Sequence, residues 1–157
     1  MPTLKLVPRT REEVRANIEA MDAAARKEIS ADWWAKFEKS SMQDPWVHGF
    51  SLLLPDGTNV GIGGFKGPPK DGMVEIAYAV LPEHQGKGYA TAGAREMVDY
   101  AFRSADVSRV IAHTLPEGAA SQRVLQKAGF RRTGAVVDPE DGLVWRFEVS
   151  RAQYGSD

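Results

Sequence analysis

The first third of the chain carries one extended and two helical patterns of apolar residues. Thr3–Val7 is a short extended run, and Thr10 followed by Glu13 has the spacing of a capping box. Apolar residues then recur every three or four positions, which predicts a first helix over Arg11–Arg26. Ser30 is a suitable N-cap for a second, shorter helix that carries two adjacent tryptophans.

The middle of the chain has the composition of strands separated by turns. Trp46–Leu54 and Val60–Phe65 are predicted as two strands, because the segment between them, Pro55-Asp56-Gly57-Thr58, is a turn sequence. A second break rich in glycine and proline leads into a third strand, Met73–Leu81. Three strands in succession with short connections predict hairpins between neighbours in the sheet.

Beyond Leu81 the pattern changes to alternating helices and strands. Glycines 86 and 88 open a helix with an apolar stripe, and the remaining predicted elements are the strand Val107–Leu115, the helix Glu117–Ala128 closed by Gly129, and a hairpin of Arg131–Val137 and Leu143–Val149 around Pro139-Glu140-Asp141-Gly142. The order β-α-α-β-β-β-α-β-α-β-β predicts an α/β (α+β) fold. We expect a mixed, mostly antiparallel seven-stranded sheet with helices on both faces, in a single domain over residues 1–157.

Composition and charge narrow the classes of partner. A formal net charge of −1 gives no positive field for binding nucleic acid or an anionic membrane. The absence of cysteine excludes disulfides, thiolate metal sites and a cysteine nucleophile, and it fits a reducing compartment. The charged N-terminal segment lacks the apolar core of a signal peptide, and no apolar run approaches the ~20 residues that span a bilayer. A cytoplasmic location is therefore expected.

The segment Gln85-Gly86-Lys87-Gly88-Tyr89-Ala90 is the strongest candidate for binding a ligand. It places two glycines at the start of a helix, where free backbone N–H groups and the helix dipole favour phosphate. The glycines alone would also suit a simple tight turn. The third glycine of a dinucleotide fingerprint and the Gly-Lys-Ser/Thr end of a Walker loop are both missing, which argues against a reductase or a kinase.

At this point the sequence resembles the GNAT superfamily of N-acetyltransferases. Gln85-x-x-Gly88-x-Ala90 is similar to the Arg/Gln-x-x-Gly-x-Gly/Ala pyrophosphate loop of that family, and it follows a strand that reads Glu75-Ile-Ala-Tyr-Ala-Val-Leu-Pro82. Ala120-Ser121-Gln-Arg-Val-Leu-Gln-Lys127-Ala-Gly129-Phe130 resembles the last helix of the family and its Gly-Phe end. The similarity covers roughly Val60–Val149, and the branch with ribosomal-protein N-terminal acetyltransferases is the most similar.

The resemblance implies acetyl-CoA as acyl donor and assigns roles to individual residues. Backbone N–H groups from Gly86 through Thr91 would hold the pyrophosphate, and Val80 and Leu81 would pair with the pantetheine arm. The neighbourhood of Val80 would also donate an N–H to the acetyl carbonyl, where negative charge develops. The implied cofactor-binding residues are Val80, Leu81, Gln85, Gly86, Lys87, Gly88, Tyr89, Ala90, Thr91 and Ser121.

Two positions depart from the family pattern. Gly118 stands where the family commonly has asparagine, and Leu125 stands where many members carry the tyrosine that protonates the leaving thiolate. The general acid is therefore unassigned: Tyr89 or solvent would serve, or coenzyme A would leave as the thiolate.

Glu75 is the candidate general base. An alkylammonium with a pKa of ~10.4 must lose a proton before it attacks, so a base is required. With the two-residue period of a strand, Glu75 shares a face with Ala77 and Ala79, whose small side chains leave room for a ligand. A solvated carboxylate on a half-exposed strand is the alternative.

The histidines and tryptophans are open to two interpretations each. His113, late in a strand, would face the acceptor or serve as a hydrogen-bonded structural residue, and His48 and His84 lack the neighbours of a metal site. Of Trp33 and Trp34, one is expected in the core and one exposed, where it would line a cleft or a homodimer contact.

These patterns together predict a metal-free N-acetyltransferase. It would transfer acetyl from acetyl-CoA to a primary amine of a small molecule or a protein N-terminus, by direct attack in a ternary complex. The alternative is a catalytically silent module that senses acyl-CoA, which Gly118 and Leu125 favour.

Overall fold

The computed structural model describes residues 3–42, 44–139 and 141–154. The strands are β1 Lys5–Pro8, β2 Phe50–Leu53, β3 Asn59–Phe65, β4 Met73–Val80, β5 Arg109–Thr114, β6 Arg131–Asp138 and β7 Gly142–Ser150. The helices are α1 Arg11–Ala20, α2 Ala23–Lys27, α3 Ala31–Lys39, α4 Pro45–His48, α5 Tyr89–Phe102, α6 Ala119–Lys127 and α7 Arg151–Tyr154, with a 3₁₀ turn at Pro82–His84.

The strands form one seven-stranded sheet in the order β1-β2-β3-β4-β5-β7-β6. All neighbouring pairs are antiparallel except β4 and β5, which are connected by the crossover helix α5 and run parallel. The β5-α6-β6 passage does not place β6 beside β5, because β7 lies between them. The predicted count of strands and the mixed, mostly antiparallel character are thus confirmed.

Helix α5 packs against one face of the sheet and supplies much of its core. Its stripe has the helical period expected from the sequence, and it contacts the buried side chains of β4, β5 and β7. The fully buried residues of this core include Met97, Val98, Val110, Leu125 and Phe147. Burying apolar surface contributes about 25 cal/mol of folding free energy per Å². This layer is therefore the main source of stability.

The N-terminal helices form a separate apolar cluster around Phe37. The predicted helix over Arg11–Arg26 is interrupted, because Met21 adopts an extended backbone and the Asp22 side chain caps a new helix by accepting the N–H of Ala25. The capping box predicted at Thr10 is confirmed, because both of its hydrogen bonds are formed: Thr10 N–H donates to the Glu13 carboxylate, and Glu13 N–H donates to the Thr10 hydroxyl.

Two predictions about aromatic residues near this cluster are corrected by the structure. Trp33 and Trp34 are both half-buried against Phe37, with ring centroids 5.2 Å and 6.0 Å away, so the expected pair of one core and one exposed tryptophan is wrong. The expectation that one of them lines a cleft is confirmed by Trp33, which lines a space between the N-terminal helices and β3. The predicted strand Trp46–Leu54 begins only at Phe50. Its first residues form the one-turn helix α4, because Pro45 is suited to a helix start and Gly49 ends the turn at a φ of 73°.

The end of α6 follows the expected pattern. Gly129 has a φ of 98°, and the N–H groups of Gly129 and Phe130 donate to the carbonyls of Gln126 and Leu125. This is a Schellman motif, and it directs Phe130 back into the core.

In the final hairpin, Glu140 of the predicted turn lies outside the described residues. No helix in the described part of the chain is long and apolar enough to cross a membrane.

Candidate functional site

The sheet splays apart between β4 and β5. Their parallel pairing ends at Glu75 and Ile111, although both strands continue beyond that point. The Leu81 N–H donates to the Val60 carbonyl on β3. Successive residues of a strand direct their backbone N–H and C=O groups to opposite sides, so those of Val80 are directed away from β3 and toward the gap. There the Val80 carbonyl accepts a hydrogen bond of 3.0 Å from the Gln85 side chain. The gap is a break in the sheet that a ligand can enter.

A cleft of about 610 Å³ opens at one mouth of this gap, where α5 begins. Gly86 and Gly88 have φ values of 78° and 84°, a left-handed conformation that side chains resist. The first intrahelical bond of α5 joins Ala92 N–H to the Gly88 carbonyl. The N–H groups of Tyr89, Ala90 and Thr91 thus precede the first N–H that donates within the helix, and they are available to bind an anion.

The cleft brings together most of the residues predicted to bind the cofactor. Eight of the ten line it: Val80, Gln85, Gly86, Gly88, Tyr89, Ala90, Thr91 and Ser121. Lys87 is exposed and Leu81 is 42% exposed, and neither is among the lining residues. Because the Leu81 N–H is bonded to β3, this residue has no amide available for the predicted pairing with a pantetheine arm.

Two basic side chains of the cleft were missed from the sequence. Arg123 and Lys127 on α6 line its wall opposite the start of α5. Together with Ala120 and Val124 they follow the i, i+3, i+4, i+7 spacing of one helix face, a signal that was available in the sequence. A cleft with a helix N-terminus and two cations suits a phosphate-bearing ligand.

A smaller cavity of about 160 Å³ lies in the gap itself and contains Glu75. It shares Tyr78 and Ser121 with the larger cleft, so the two spaces meet at these residues. The Glu75 carboxylate is 18% exposed, and its Oε2 lies 2.9 Å from both Nδ1 of His113 and Nζ of Lys66. The structure thus brings together Glu75 and His113, which were predicted separately, and adds Lys66.

Tyr78 is a further residue of the site that sequence reasoning missed. It follows Glu75 by three positions and therefore lies on the other face of β4, packed beside Gly63 and the core. Burial raises the pKa of its phenol from 10.0 to about 12. Tyr78 is consequently a neutral hydroxyl at all ordinary pH values, at the point where the two spaces meet.

A third space, of about 540 Å³, lies between the N-terminal helices and β3. Its walls are largely apolar and include Ile18, Trp33 and Ile62. Lys66 lines both this space and the cavity of Glu75, and the half-buried Arg9, whose pKa is lowered by burial, adds a second cation. This space therefore lies next to the cavity of Glu75, with Lys66 in the wall of both.

The remaining histidines are placed differently. His48 lies in α4 rather than on the predicted strand, and it is 2% exposed. Its Nδ1 accepts the N–H of Asp44 at 3.1 Å and its Nε2 lies 2.9 Å from the Ser40 hydroxyl, so its role is structural. His84 lines the cleft. Within the described ranges, no group of three or more acidic or histidine side chains could hold a metal ion.

The splayed mixed sheet with a helix N-terminus at its opening is the architecture of solved acetyltransferases. Aminoglycoside acetyltransferase AAC(6')-Ib in complex with coenzyme A and kanamycin aligns with 98% of this chain and 98% of its own, with a TM-score of 0.72 and 20% identity. Spermidine N-acetyltransferase from Vibrio cholerae in complex with CoA and spermine aligns with 96% and 97%, with a TM-score of 0.71 and 17% identity. At these identities the likeness confirms the fold.

Curated relatives agree with the predicted class. The uncharacterized N-acetyltransferase p20 of Bacillus licheniformis is 29% identical over 112 residues, 67% of this chain and 63% of its own length. The uncharacterized N-acetyltransferase YnaD of Bacillus subtilis is 40% identical over 60 residues, 38% of this chain and 35% of its own length. The matched stretches span less than two thirds of these relatives.

The chain belongs to the acetyltransferase (GNAT) domain family, whose sequence model matches residues 2–131. The superfamily inferred from the loop and the last helix is therefore confirmed. The finer resemblance to the branch with ribosomal-protein N-terminal acetyltransferases stays a prediction.

Proposed function

We propose that this chain transfers the acetyl group of acetyl-CoA to a primary amine. The observation that carries the proposal is the junction of the two spaces at Tyr78 and Ser121. On one side of the junction is a cleft built for a phosphate-bearing ligand, and on the other is a carboxylate paired with a histidine. Family membership supports this assignment.

The residues of the cleft fit the cofactor. The N–H groups at the start of α5 would bind the pyrophosphate, and Arg123 and Lys127 would add positive charge beside it. A Cβ at Gly86 would meet no atom within 4 Å, so the space outside this loop is open to a ligand. The outward-turned backbone of Val80 would pair with the pantetheine arm as a further strand would. When bound, acetyl-CoA supplies the activated acetyl thioester.

Glu75 would act as the general base. Its carboxylate would accept the proton that the acceptor ammonium must lose. His113 is hydrogen-bonded to the same carboxylate and would hold it in position. Lys66 contacts the same carboxylate oxygen and helps to hold it in place. Direct attack by the amine in a ternary complex is supported by the absence of cysteine, which removes the usual nucleophile for a covalent route.

The acceptor would enter from the apolar space beside the N-terminal helices. The structural neighbours include enzymes named for aminoglycosides and for spermidine, and these acceptors carry primary amines. A small-molecule amine or a protein N-terminus is the acceptor class we propose here. A homodimer and a cytoplasmic location remain predictions.

Calorimetric titration with acetyl-CoA, with ATP and NAD as controls, tests the proposal. We expect saturable binding of acetyl-CoA alone, abolished in Gly86→Glu, which places an acid in the phosphate loop. Gly57→Glu is a matched control, because Gly57 also has positive φ (91°) and open space around it but lies in the β2–β3 turn.

An amine panel with thiol detection then distinguishes an enzyme from a sensor. Acetylation of any primary amine supports the enzyme, whereas tight binding of acetyl-CoA without turnover on the whole panel would favour the silent module. Failure of the wild-type chain to bind acetyl-CoA would overturn both.

A further inference from the structure

Thr114 carries a buried hydroxyl whose role is not explained by the fold. This residue ends β5 and is only 7% exposed. Its Oγ1 has no hydrogen-bond partner among the described residues. Burial of an unpaired hydroxyl is unfavourable, and native structures contain few such groups. The group is therefore a candidate for binding a ligand.

The position of Thr114 connects it to the gap between β4 and β5. On one side its strand pairs with Trp145 of β7, but the pairing with β4 has already ended at Ile111. Thr114 lines the 160 Å³ cavity that contains Glu75, and that cavity shares the lining residues Tyr78 and Ser121 with the larger cleft. Thr114 and the candidate base Glu75 thus line one cavity next to the cleft that we assign to the cofactor.

We propose that the Thr114 hydroxyl donates a hydrogen bond to the sulfur of coenzyme A as the thioester bond breaks. The inference rests on the acetyl transfer proposed above. In that reaction the amine nitrogen bonds to the acetyl carbon, the carbon–sulfur bond breaks, and its electron pair leaves on sulfur. Glu75 takes the proton that the ammonium loses before attack, and the nitrogen releases a second proton to water as the amide forms. Thr114 keeps its own proton and stabilises the new thiolate.

The other groups of the cavity are less suited to this role. Leu125 lines the same cavity and has no donor. Ser121 is exposed, so water competes for its hydroxyl. Tyr78 lies at the junction, but its phenol is half-buried beside the core on β4. Thr114 alone among these hydroxyls combines burial with the lack of a partner in the described structure.

Thr114→Val tests the inference, because it removes the hydroxyl and keeps the shape of the side chain. We expect the variant to unfold at the same or a higher urea concentration, since an unpaired buried hydroxyl is replaced by a methyl group. We expect kcat to fall about 10- to 100-fold, as for loss of a hydrogen bond to a charged group, with KM for the amine unchanged. Thr114→Ser restores most of kcat.

Binding of coenzyme A supplies a readout that does not depend on turnover. We expect wild-type protein at pH 9 to bind coenzyme A about tenfold more tightly than desulfo-coenzyme A, which lacks the sulfur. Thr114→Val should bind both compounds equally. Thr133→Val is the matched control, because the Thr133 hydroxyl bonds to Glu148 on the edge of the sheet, and it should keep the preference.

The outcomes separate this inference from the proposed function. If wild-type protein binds no coenzyme A, the proposed function itself fails. If it binds and acetylates an amine but Thr114→Val matches it in kcat and in sulfur preference, the inference is overturned. It is also overturned if Thr114→Ser is as defective as Thr114→Val, since retaining the hydroxyl would then not sustain kcat.

Discussion

Nδ1 of His113 lies 2.9 Å from Oε2 of Glu75, a hydrogen bond between the two parallel strands β4 and β5. The bond lies at the last point where these strands are paired, since Glu75 is opposite Ile111 and His113 is two residues further along β5. It therefore sits at the vertex of the gap that the cofactor and the acceptor would enter from opposite sides. Two residues that the sequence analysis treated separately are thus hydrogen-bonded to each other.

Replacing Glu75 by glutamine should lower kcat by about 10²- to 10⁴-fold, because the amide cannot accept the amine proton. Glu148→Gln is a matched control. Glu148 is 15% exposed on the same face and also bonds to two basic residues, Arg109 and Arg146. Steady-state kinetics with the best amine of the panel, alongside calorimetry with acetyl-CoA, would check both variants. Equal activity of Glu75→Gln and Glu148→Gln would contradict the role of Glu75 as base.

Arg123→Gln and Lys127→Gln should each weaken acetyl-CoA binding by about two- to fivefold, since an exposed charge pair contributes less than about 1 kcal/mol. The difference from wild type should shrink at high salt, where exposed charges are screened. Arg15→Gln, an exposed arginine on α1, controls for net charge. Titrations at low and at high salt measure the effect, and an affinity unchanged in both cleft variants would remove these cations from the site.

Burial of Tyr78 should make the protein less stable in alkali. The folded-state pKa is about 12, whereas an unfolded tyrosine ionises near pH 10. The unfolded state therefore releases its proton first, and stability is lost as pH rises from about 10 toward 12. The full loss from this group is about 3 kcal/mol, at 1.36 kcal/mol per pKa unit. Urea unfolding between pH 9 and 11.5 should show this slope in wild type and a shallower one in Tyr78→Phe. Identical slopes would contradict the assignment.

Local sequence signals predicted the parts of this molecule that depend on nearest neighbours along the chain. The capping box at Thr10, the glycines that open α5 and the Schellman end at Gly129 all follow from chemistry within a few residues. The same kind of reasoning failed at α4, where an apolar run looked like a strand but Pro45 and Gly49 favoured a single helical turn.

Tertiary contacts were beyond that reasoning. Glu75 and His113 are 38 positions apart and meet only because β4 and β5 are parallel neighbours. The partner Lys66 and the unpaired hydroxyl of Thr114 depend in the same way on where the strands diverge. A periodic pattern assigns a side chain to a face of its own strand, but it does not say which side chain of another strand is opposite.

His48 should make the protein less stable in mild acid. Burial lowers the pKa of its imidazole below the ordinary 6.5, and Nδ1 is occupied as an acceptor of the Asp44 N–H. The unfolded state therefore binds a proton first, and stability is lost as pH falls below about 6.5 toward the lowered folded-state pKa. The slope from this group is at most about 1.4 kcal/mol per pH unit.

Thermal or urea unfolding at pH 7.5 and at pH 5.5 measures this contribution. His48→Gln should be less stable than wild type at pH 7.5, because the buried hydrogen bonds to Ser40 and Asp44 are disturbed. Its loss between the two pH values should nevertheless be smaller, since glutamine does not titrate. The carboxylates with lowered pKa, Asp32, Asp56 and Glu148, lose their contribution only at pH values below this window. An equal loss in wild type and variant would show that His48 is not the source of the acid sensitivity.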